Sequence, residues 1–215
     1  CELSEQMARQ INGGGVVADP EFLPFGASCF DLVYSNLDLH WTNDLPGCLL
    51  QITRSLKPDG LFLATILGGN TLTELRQVLM AAELEITGGA SPRVSPFAEL
   101  RDAGALLQRA GLALPVVDAD EITITYENIF RLLADLRGMG ETNTNQERLR
   151  TATRRAVFLQ AAKLYAERYP AENGRIRATF EIIYLHGWAP HASQPKALRP
   201  GSATTSLASA ARLPH

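Results

Sequence analysis

Apolar and polar residues follow one another with two different periods along the chain, and each period predicts a type of element. Largely apolar runs at residues 30–35 and 61–67 are typical of buried strands in a parallel sheet. Between them, apolar residues recur at helical spacing behind a cap at Asn43 or Asp44. The Lys-Pro-Asp-Gly stretch at 57–60 predicts a turn. The order strand, helix, strand is that of a doubly wound fold, in which ligands bind at the carboxyl ends of parallel strands.

Capping signals predict where several helices begin. Ser4 caps a short helix that precedes a strand at 16–18. Thr71 to Glu74 has the spacing of a capping box, and an apolar stripe follows it. Ser95-Pro96 predicts the start of a further helix, which Gly111 ends.

The rest of the chain predicts two more strands with helices between them. Alternation over residues 122–126 is typical of a half-exposed strand, and helical patterns follow at about 127–137 and 146–168. A strand at 180–188 comes last. We therefore predict an α/β sheet with a core over 1–125, a helical insert over 126–178, a final strand over 179–189 and an extended tail, rich in Pro, Ser and Ala, over 190–215.

Composition narrows the functional classes. The chain has 215 residues, 46% of them hydrophobic, which suits one domain with a real core. A net charge of -3 without a basic run argues against a nucleic-acid surface. The apolar stretches are too short to cross a bilayer. Three cysteines without metal-like spacing favour a reducing compartment.

Several polar residues fall where this fold would bind a nucleoside. Glu2 stands before a capped helix, where a carboxylate can accept both hydroxyls of a ribose; the alternative is an exposed Glu near the chain end. Asp19 and Pro20 lie after a strand, where an acid can accept from an adenine amino group, although an ordinary turn is the alternative. Ser35 and Asn36 end the next strand, at the rim, or they merely cap the loop.

Beyond that rim, other side chains suggest a pocket. His40 is a candidate for a chemical role, although a lone His is more often structural. Trp41 either walls a pocket or packs in the core. Arg76 is a second candidate for the pocket, unless it pairs with a neighbouring acid. The Gly-Gly-Asn stretch at 68–70 is either an anion site at a helix start or, as we favour, a strand-to-helix connection.

Together these motifs resemble a known superfamily, the class I S-adenosylmethionine-dependent methyltransferases. The resemblance rests on Glu2-Leu3-Ser4, Ala18-Asp19, Leu23-Pro24-Phe25, Phe30-Asp31-Leu32-Val33 and Leu56-Lys57-Pro58-Asp59-Gly60. Longer stretches resemble one subgroup, the mitochondrial complex I assembly factor described as a protein-arginine hydroxylase, with its bacterial relatives. These stretches are 39–41, 43–46, 68–72, 74–76, 91–92, 95–97, 118–122, 135–141, 187–191 and 199–203. A more distant resemblance is to the malonyl-carrier-protein methyltransferase of biotin synthesis.

The resemblance implies a fold and a cofactor. The fold is a Rossmann-like methyltransferase sheet with a helical insert before the last strand, and the cofactor is S-adenosylmethionine. The sheet is expected to lack its first strand and glycine-rich loop, because these should precede Glu2. The Gly run at 13–15 does not replace the loop, since it follows a helix. We expect the strand and loop to be absent because the sequence is a fragment of a longer protein, and not because it is a form that cannot bind the cofactor.

The resemblance leaves three functions open. The first is methyl transfer to a protein or small-molecule acceptor, with His40 and Tyr126 as candidate bases if the acceptor carries a proton. The second is arginine hydroxylation on a respiratory complex I subunit, although no two-His, one-carboxylate pattern is evident and no metal site is predicted. The third is a non-catalytic module that binds a partner through the helical insert. The expected compartment is the cytoplasm in a bacterium and the mitochondrial matrix in a eukaryote.

Overall fold

The computed structural model describes residues 1–94, 97, 100–145, 147–195 and 202. Its centre is a four-stranded mixed sheet in the order β1-β2-β4-β3. Strand β1 pairs in parallel with β2, and β4 runs antiparallel to both of its neighbours. The strands are β1 (Phe30–Asn36), β2 (Leu56–Leu67), β3 (Ala113–Tyr126) and β4 (Ile176–Trp188).

Among the described residues, six α-helices and two short 3-10 helices precede or connect these strands. The α-helices are α1 (Glu5–Ala8), α2 (Leu45–Ser55), α3 (Thr73–Thr87), α4 (Leu100–Arg109), α5 (Ile129–Gly138) and α6 (Arg155–Arg168), and the 3-10 helices are Leu39–Trp41 and Glu172–Gly174. The α/β class is confirmed, and α5 and α6 lie between β3 and β4, where the helical insert was expected. Helix α6 begins later than the helical pattern from 146 predicts, and β4 begins three residues before the expected boundary at 179.

Two hydrophobic clusters cover the sheet. One joins α3, α5 and α6 to the first half of β4, where Ile176, Ala178 and Phe180 are buried. The other packs α2 and α4 on the strands and includes Ile183 and Leu185 of β4. Because alternate residues of a strand point to opposite faces, β4 contributes to a core on each side of the sheet. This burial on both faces explains the continuous apolar patterns of the central strands.

The turn predicted at 57–60 is wrong, because these residues belong to β2. Phe30 pairs with Leu56 and Leu32 pairs with Leu61, so the intervening residues of β2 form a bulge against β1. Asp59 takes a left-handed conformation with φ 64° within the bulge. Leu56 and Gly60 are buried on either side of it, and this keeps the chain on its course along β1 instead of reversing it.

The capping box predicted at Thr71–Glu74 is also wrong. Leu72 occupies the N-cap position of α3 with φ 56° and makes no side-chain cap. The Thr71 hydroxyl instead donates to the backbone oxygen of Glu181 and accepts from its N–H, at 3.2 and 3.1 Å. The Glu74 carboxylate accepts from the N–H and hydroxyl of Thr179, at 3.2 and 2.6 Å. The start of α3 is therefore anchored to β4.

Other local predictions fall on shorter elements or outside the described residues. The strand predicted at 16–18 is reduced to one parallel bridge between Glu2 and Val17. The Ser4 hydroxyl accepts from the N–H of Met7 at 3.4 Å, as expected of a helix cap. The helix start predicted at Ser95-Pro96 lies outside the described residues, as does most of the tail predicted over 190–215.

Candidate functional site

A cleft runs along β1 from Phe30 to Asn36 and continues over the loop that follows the strand, and we call it the β1 cleft. It has a volume of about 520 Å³, within the range of about 300–1,000 Å³ that small-molecule sites occupy. Four of the predicted cofactor residues line it: Glu2, Pro20, Ser35 and Asn36. An apolar wall completes it, formed by Leu23, Phe25, Phe30, Leu32, Val33, Leu39 and Ile52. The cleft therefore combines a mostly apolar lining with a few polar groups, as ligand sites do.

The polar groups of the β1 cleft differ in how they are engaged. One Glu2 oxygen accepts from the N–H of Ser4 at 2.9 Å, and the bridge to Val17 holds its backbone. Asn36 accepts from the Thr65 hydroxyl at 2.6 Å, which leaves its amide nitrogen without a hydrogen bond to the described residues. The Ser35 hydroxyl is buried and has no partner among the described residues. Buried polar atoms in folded proteins are normally satisfied, so this hydroxyl indicates a place for a ligand atom or water.

Asp19 lies beside the cleft and is not among its lining residues. Its carboxylate accepts from the N–H of Glu21 at 2.9 Å, in a turn closed by the Phe22 N–H on the Asp19 carbonyl. The alternative of a turn carboxylate therefore describes its local structure. One oxygen remains available for a ligand, so its binding role stays a prediction.

Asp38 is an acidic residue of the cleft that was not selected from the sequence. Burial raises the pKa of its carboxyl, and repulsion from Glu2 raises it further, while His40 lowers it. The net pKa lies above the ordinary value. Its position two residues before His40, on the same loop after β1, is the signal that could have identified it.

The thiol of Cys48 also lies in the β1 cleft and is held in its neutral form. Burial raises its pKa to about 11, and Asp38, Glu21, Asp44 and Asp19 add to the effect. The thiolate is the reactive form of cysteine, so Cys48 contributes an unreactive wall.

A second cavity of about 250 Å³ lies between α3, α5 and the loop that follows α5, and we call it the α3–α5 cavity. Its floor is apolar, formed by Leu72, Leu75, Leu79, Val94, Phe97, Leu133, Leu136 and Phe158. Its polar lining consists of Arg93, Arg137, Glu141, Thr142, Asn143 and Thr153. Most of these residues were not selected from the sequence, because they come from four separate segments.

His40 lines neither cavity, but it contacts or adjoins residues of both. Its Nε2 lies 3.1 Å from Oε1 of Glu141, and the side chains are 4% and 16% exposed. Glu141 lines the α3–α5 cavity, while Leu39, the neighbour of His40, lines the β1 cleft. The Nδ1 atom of His40 is buried without a partner among the described residues. His40 and Glu141 therefore form a direct contact between a histidine and a carboxylate beside the two cavities.

A buried ion pair supports the loop that borders the α3–α5 cavity. Arg93 pairs with Glu83, and the side chains are 15% and 5% exposed. Ser91 also donates to Glu83, while Arg93 donates to the Thr153 hydroxyl at 2.6 Å. Burial alone would raise the pKa of Glu83, but the hydrogen bonds from Arg93 and Ser91 outweigh it and hold the pKa below its ordinary value.

The remaining predicted residues lie apart from both cavities. Trp41 is half-buried and packs on the ring of His40, with centroids 5.2 Å apart. Arg76 donates to the backbone oxygens of Gly69 and Thr71, at 3.4 and 3.3 Å, so it fastens the loop before α3 and pairs with no described acid. Neither side chain is among the residues that line the cavities.

Tyr126 is placed in the core, where it is poorly suited to act as a base. It is 8% exposed and belongs to the cluster around α3, α5 and α6. Its hydroxyl donates to Asp135 at 2.9 Å. Burial, followed by this carboxylate, raises its pKa to about 12. The structure therefore brings Glu2, Pro20, Ser35 and Asn36 together, places His40 at their border, and leaves Tyr126 elsewhere.

In the part of the chain that the structure describes, no cluster of three or more His, Cys, Asp or Glu side chains is arranged to hold a metal ion. Across those residues, none of the helices has the length and apolar character needed to cross a membrane.

The strand order, with an antiparallel strand between the last parallel strand and the edge, is that of a methyltransferase-like fold. A candidate methyltransferase of Bacillus halodurans superposes with a TM-score of 0.50 at 16% identity, over 81% of this chain and 76% of that one. A family model described as a methyltransferase domain matches residues 1–64.

Curated relatives narrow the family. The mitochondrial arginine-hydroxylase NDUFAF5 of Danio rerio is 46% identical over 198 residues, which are 92% of this chain and 61% of that protein. The malonyl-acyl-carrier-protein O-methyltransferase of Gallionella capsiferriformans is 35% identical over 188 residues, 87% of this chain and 61% of that protein. The chain thus spans about three fifths of each relative.

The chain is thus similar to class I S-adenosylmethionine-dependent methyltransferases. Among these relatives it is more similar to NDUFAF5 than to the bacterial carrier-protein methyltransferase.

Proposed function

We propose that this chain is part of an S-adenosylmethionine-dependent methyltransferase of the complex I assembly subgroup, with the cofactor in the β1 cleft. The observation that carries the proposal is the buried, unpartnered hydroxyl of Ser35 at the carboxyl end of β1, in a cleft that also contains Glu2. Ligands of doubly wound sheets bind outside the carboxyl ends of the strands.

The residues of the cleft suit the cofactor. Glu2 supplies carboxylate oxygens for a ribose diol, and Ser35 supplies a hydroxyl that lacks a partner among the described residues. Pro20, Leu23 and Phe25 supply apolar surface against which a purine ring can lie. The acids Glu2 and Asp38 favour a cationic ligand. S-adenosylmethionine, when bound, supplies a methyl group on a positively charged sulfur.

The acceptor is proposed to reach the site from the α3–α5 cavity. Its apolar floor and polar rim accommodate a side chain or acyl group with a polar end. The border residue His40 is the candidate for holding a proton from the acceptor, and Trp41 shields its ring. Positioning of the acceptor by such walls supplies a large part of the rate in transfer reactions.

The partner proposed for the whole protein is a protein substrate, a respiratory complex I subunit, or a small-molecule acceptor. The proposed compartment is the mitochondrial matrix if the source is eukaryotic, as the name of the zebrafish relative supports. It is the cytoplasm if the source is bacterial.

A second candidate function is arginine hydroxylation without methyl transfer. The specific observation in its favour is that the relatives named arginine-hydroxylase are more similar, at 46% identity, than the carrier-protein methyltransferase, at 35%. A partner-binding module that has lost the reaction is the third. Mass spectrometry of an arginine-containing peptide substrate separates the first two, because the added masses of a methyl group and an oxygen atom differ.

Calorimetric titration with S-adenosylmethionine tests the cofactor site. It should be run on this chain and on a longer version that carries the upstream segment of the same gene. We expect the longer version to bind the cofactor. If both versions are folded and neither gives a heat of binding with S-adenosylmethionine, the cofactor proposal is wrong. The partner-binding module then becomes the better model.

Single substitutions then locate the site. In the longer version, Glu2→Gln and Asp19→Ala should each weaken binding by about 1–3 kcal/mol if the hydrogen bonds exist. Glu147→Gln, at an exposed position away from the β1 cleft, is the matched control for the change in charge. An unchanged affinity for Asp19→Ala would remove Asp19 from the site.

A further inference from the structure

His40 and Glu141 are brought together by the tertiary structure alone, since 101 residues separate them in the chain. His40 lies in the 3-10 helix after β1, and Glu141 lies in the loop after α5. A contact between such distant segments at 3.1 Å, with both side chains largely buried, defines a specific geometry.

Both partners are held in place by further contacts. The His40 ring packs between Trp41, at 5.2 Å, and the edge of Phe97, at 6.0 Å between centroids. On the other side, the Glu141 N–H donates to the Leu136 carbonyl at 2.9 Å. The Asn143 amide fastens the same loop by donating to the Pro92 carbonyl at 2.8 Å.

The pair restricts where the proton of the imidazole ring can reside. A carboxylate only accepts hydrogen bonds, so the ring nitrogen facing Glu141 carries the proton. In the neutral ring the other nitrogen, Nδ1, then carries the lone pair. This atom is buried without a partner among the described residues, and leaving such an atom unsatisfied is unfavourable. A catalytic role and a bound water are two of the explanations for such an atom in a native protein.

We propose that Glu141 is a positioning residue for His40. It fixes the tautomer with the proton on Nε2 and makes Nδ1 the proton acceptor of the ring. This inference rests on the proposed function for its chemical role: Nδ1 takes the proton of an O–H or N–H group on the acceptor, and the electron pair of that bond stays on the acceptor atom. The position of the proton in the free protein does not depend on that function.

Nitrogen NMR of the imidazole rings tests the proposal directly. The chain contains four histidines, so a long-range proton–nitrogen correlation spectrum of the labelled protein is simple to resolve. The signal lost in His40→Gln identifies His40. We expect its Nε2 to resonate as a protonated nitrogen and its Nδ1 as an unprotonated one. The reverse assignment in the unsubstituted protein would overturn the proposal without any variant of Glu141.

Variants then show whether Glu141 is the cause. Glu141→Ala should give a mixture of tautomers, because it removes the acceptor that holds the proton on Nε2. Glu141→Asp, which keeps an acceptor-only carboxylate, should favour the original tautomer more than Glu141→Ala does. Glu147→Ala removes an exposed carboxylate six positions further along the chain and should change neither shift. If folded Glu141→Ala has the same nitrogen shifts as the unsubstituted protein, Glu141 does not position the ring.

These spectra are recorded without cofactor, so they are independent of the calorimetric result. The expected tautomer together with a failed titration by S-adenosylmethionine would retire the proposed function and retain the role of Glu141. A successful titration together with the reverse tautomer would retain the proposed function and reject the role of Glu141.

Discussion

The two cavities are built in different ways, although His40 contacts or adjoins residues of both. All residues that line the β1 cleft lie between positions 1 and 55, and many of them stand in loops. The α3–α5 cavity draws on residues from 72 to 158 and is framed by three helices. The first is a site whose parts are close in sequence, and the second exists only after distant segments have packed. The comparison teaches that a ligand site can be partly evident from sequence while the pocket beside it is hidden.

The largest expected effect is the loss of stability when the buried ion pair beside the α3–α5 cavity is removed. Arg93→Ala leaves the Glu83 carboxylate buried without its ion-pair partner, which typically costs about 3–5 kcal/mol. Urea denaturation measures the change in the free energy of unfolding. Arg131→Ala is the control, because its ion pair with Glu127 is exposed and such pairs contribute at most about 1 kcal/mol. Equal losses in the two variants would contradict a structural role for the buried pair.

The same pair should make stability depend on acid pH. The native pKa of Glu83 is lower than its ordinary value of 4.5, so its carboxylate stabilises the fold fully above that value. The stabilisation is lost as the pH falls through the lower native pKa. We therefore expect the difference in unfolding free energy between the original protein and Glu83→Gln to shrink in acid. A difference that stays constant from neutral pH into this acid range would show that the charge has no part in it.

A smaller loss of stability is expected from Gly60→Ala, which alters the strand pairing beside the β1 cleft. A methyl group on Gly60 would lie 2.8 Å from the Lys57 oxygen and 3.1 Å from the Phe30 oxygen. Both are backbone atoms, so the bulge that pairs β2 with β1 has to shift, at about 1–3 kcal/mol. Gly89→Ala meets nothing within 4 Å and serves as the control. Thermal unfolding of the two variants gives the comparison, and equal melting temperatures would refute the crowding.

Tyr126→Phe separates a core residue from a site residue. Removing the hydroxyl that Asp135 accepts from should cost about 0.5–1.5 kcal/mol of stability. It should leave the calorimetric affinity for S-adenosylmethionine unchanged, because Tyr126 lines neither cavity. Loss of methyl transfer in a stable Tyr126→Phe protein would restore this residue as a catalytic candidate.

The smallest expected effect concerns the thiols and involves no change in stability. Cys48 is 1% exposed and its pKa is about 11, while Cys1 and Cys29 are exposed. A thiol reagent at mildly alkaline pH should therefore label two cysteines quickly and Cys48 slowly. Mass spectrometry after digestion identifies the labelled positions. Fast labelling of Cys48 would show that the β1 cleft opens readily to solvent.

The sequence predicted the parts of the structure that depend on local patterns. The apolar runs at 30–35 and 61–67 are strands, and Asp44 caps α2 by accepting from Gly47. The predicted cofactor residues Ser35 and Asn36 are the last two residues of β1, at the end of the strand where the doubly wound fold binds its ligands. Periodicity and composition are sufficient where each signal and its partner are neighbours in the chain.

The rest depends on partners far away in the chain. Thr71 and Glu74 have the spacing of a capping box, yet their partners are on β4, 110 and 105 residues downstream. Glu141 gives no local sign that it faces His40. The bulge at 57–60 has turn residues, but pairing with β1 on both sides keeps it within the strand. In each case tertiary contacts outweigh a local preference.

The place of β4 in the sheet has a consequence for synthesis on the ribosome. Strand β4 is the last described strand to leave the exit tunnel, yet it lies between β2 and β3 and also holds the start of α3. The nascent chain therefore carries unpaired strand edges until this segment emerges, and such edges attract aggregation and chaperones. Completion of the sheet is a late, long-range event, which is slow by nature. Truncation before residue 176 would leave a polypeptide that cannot mature.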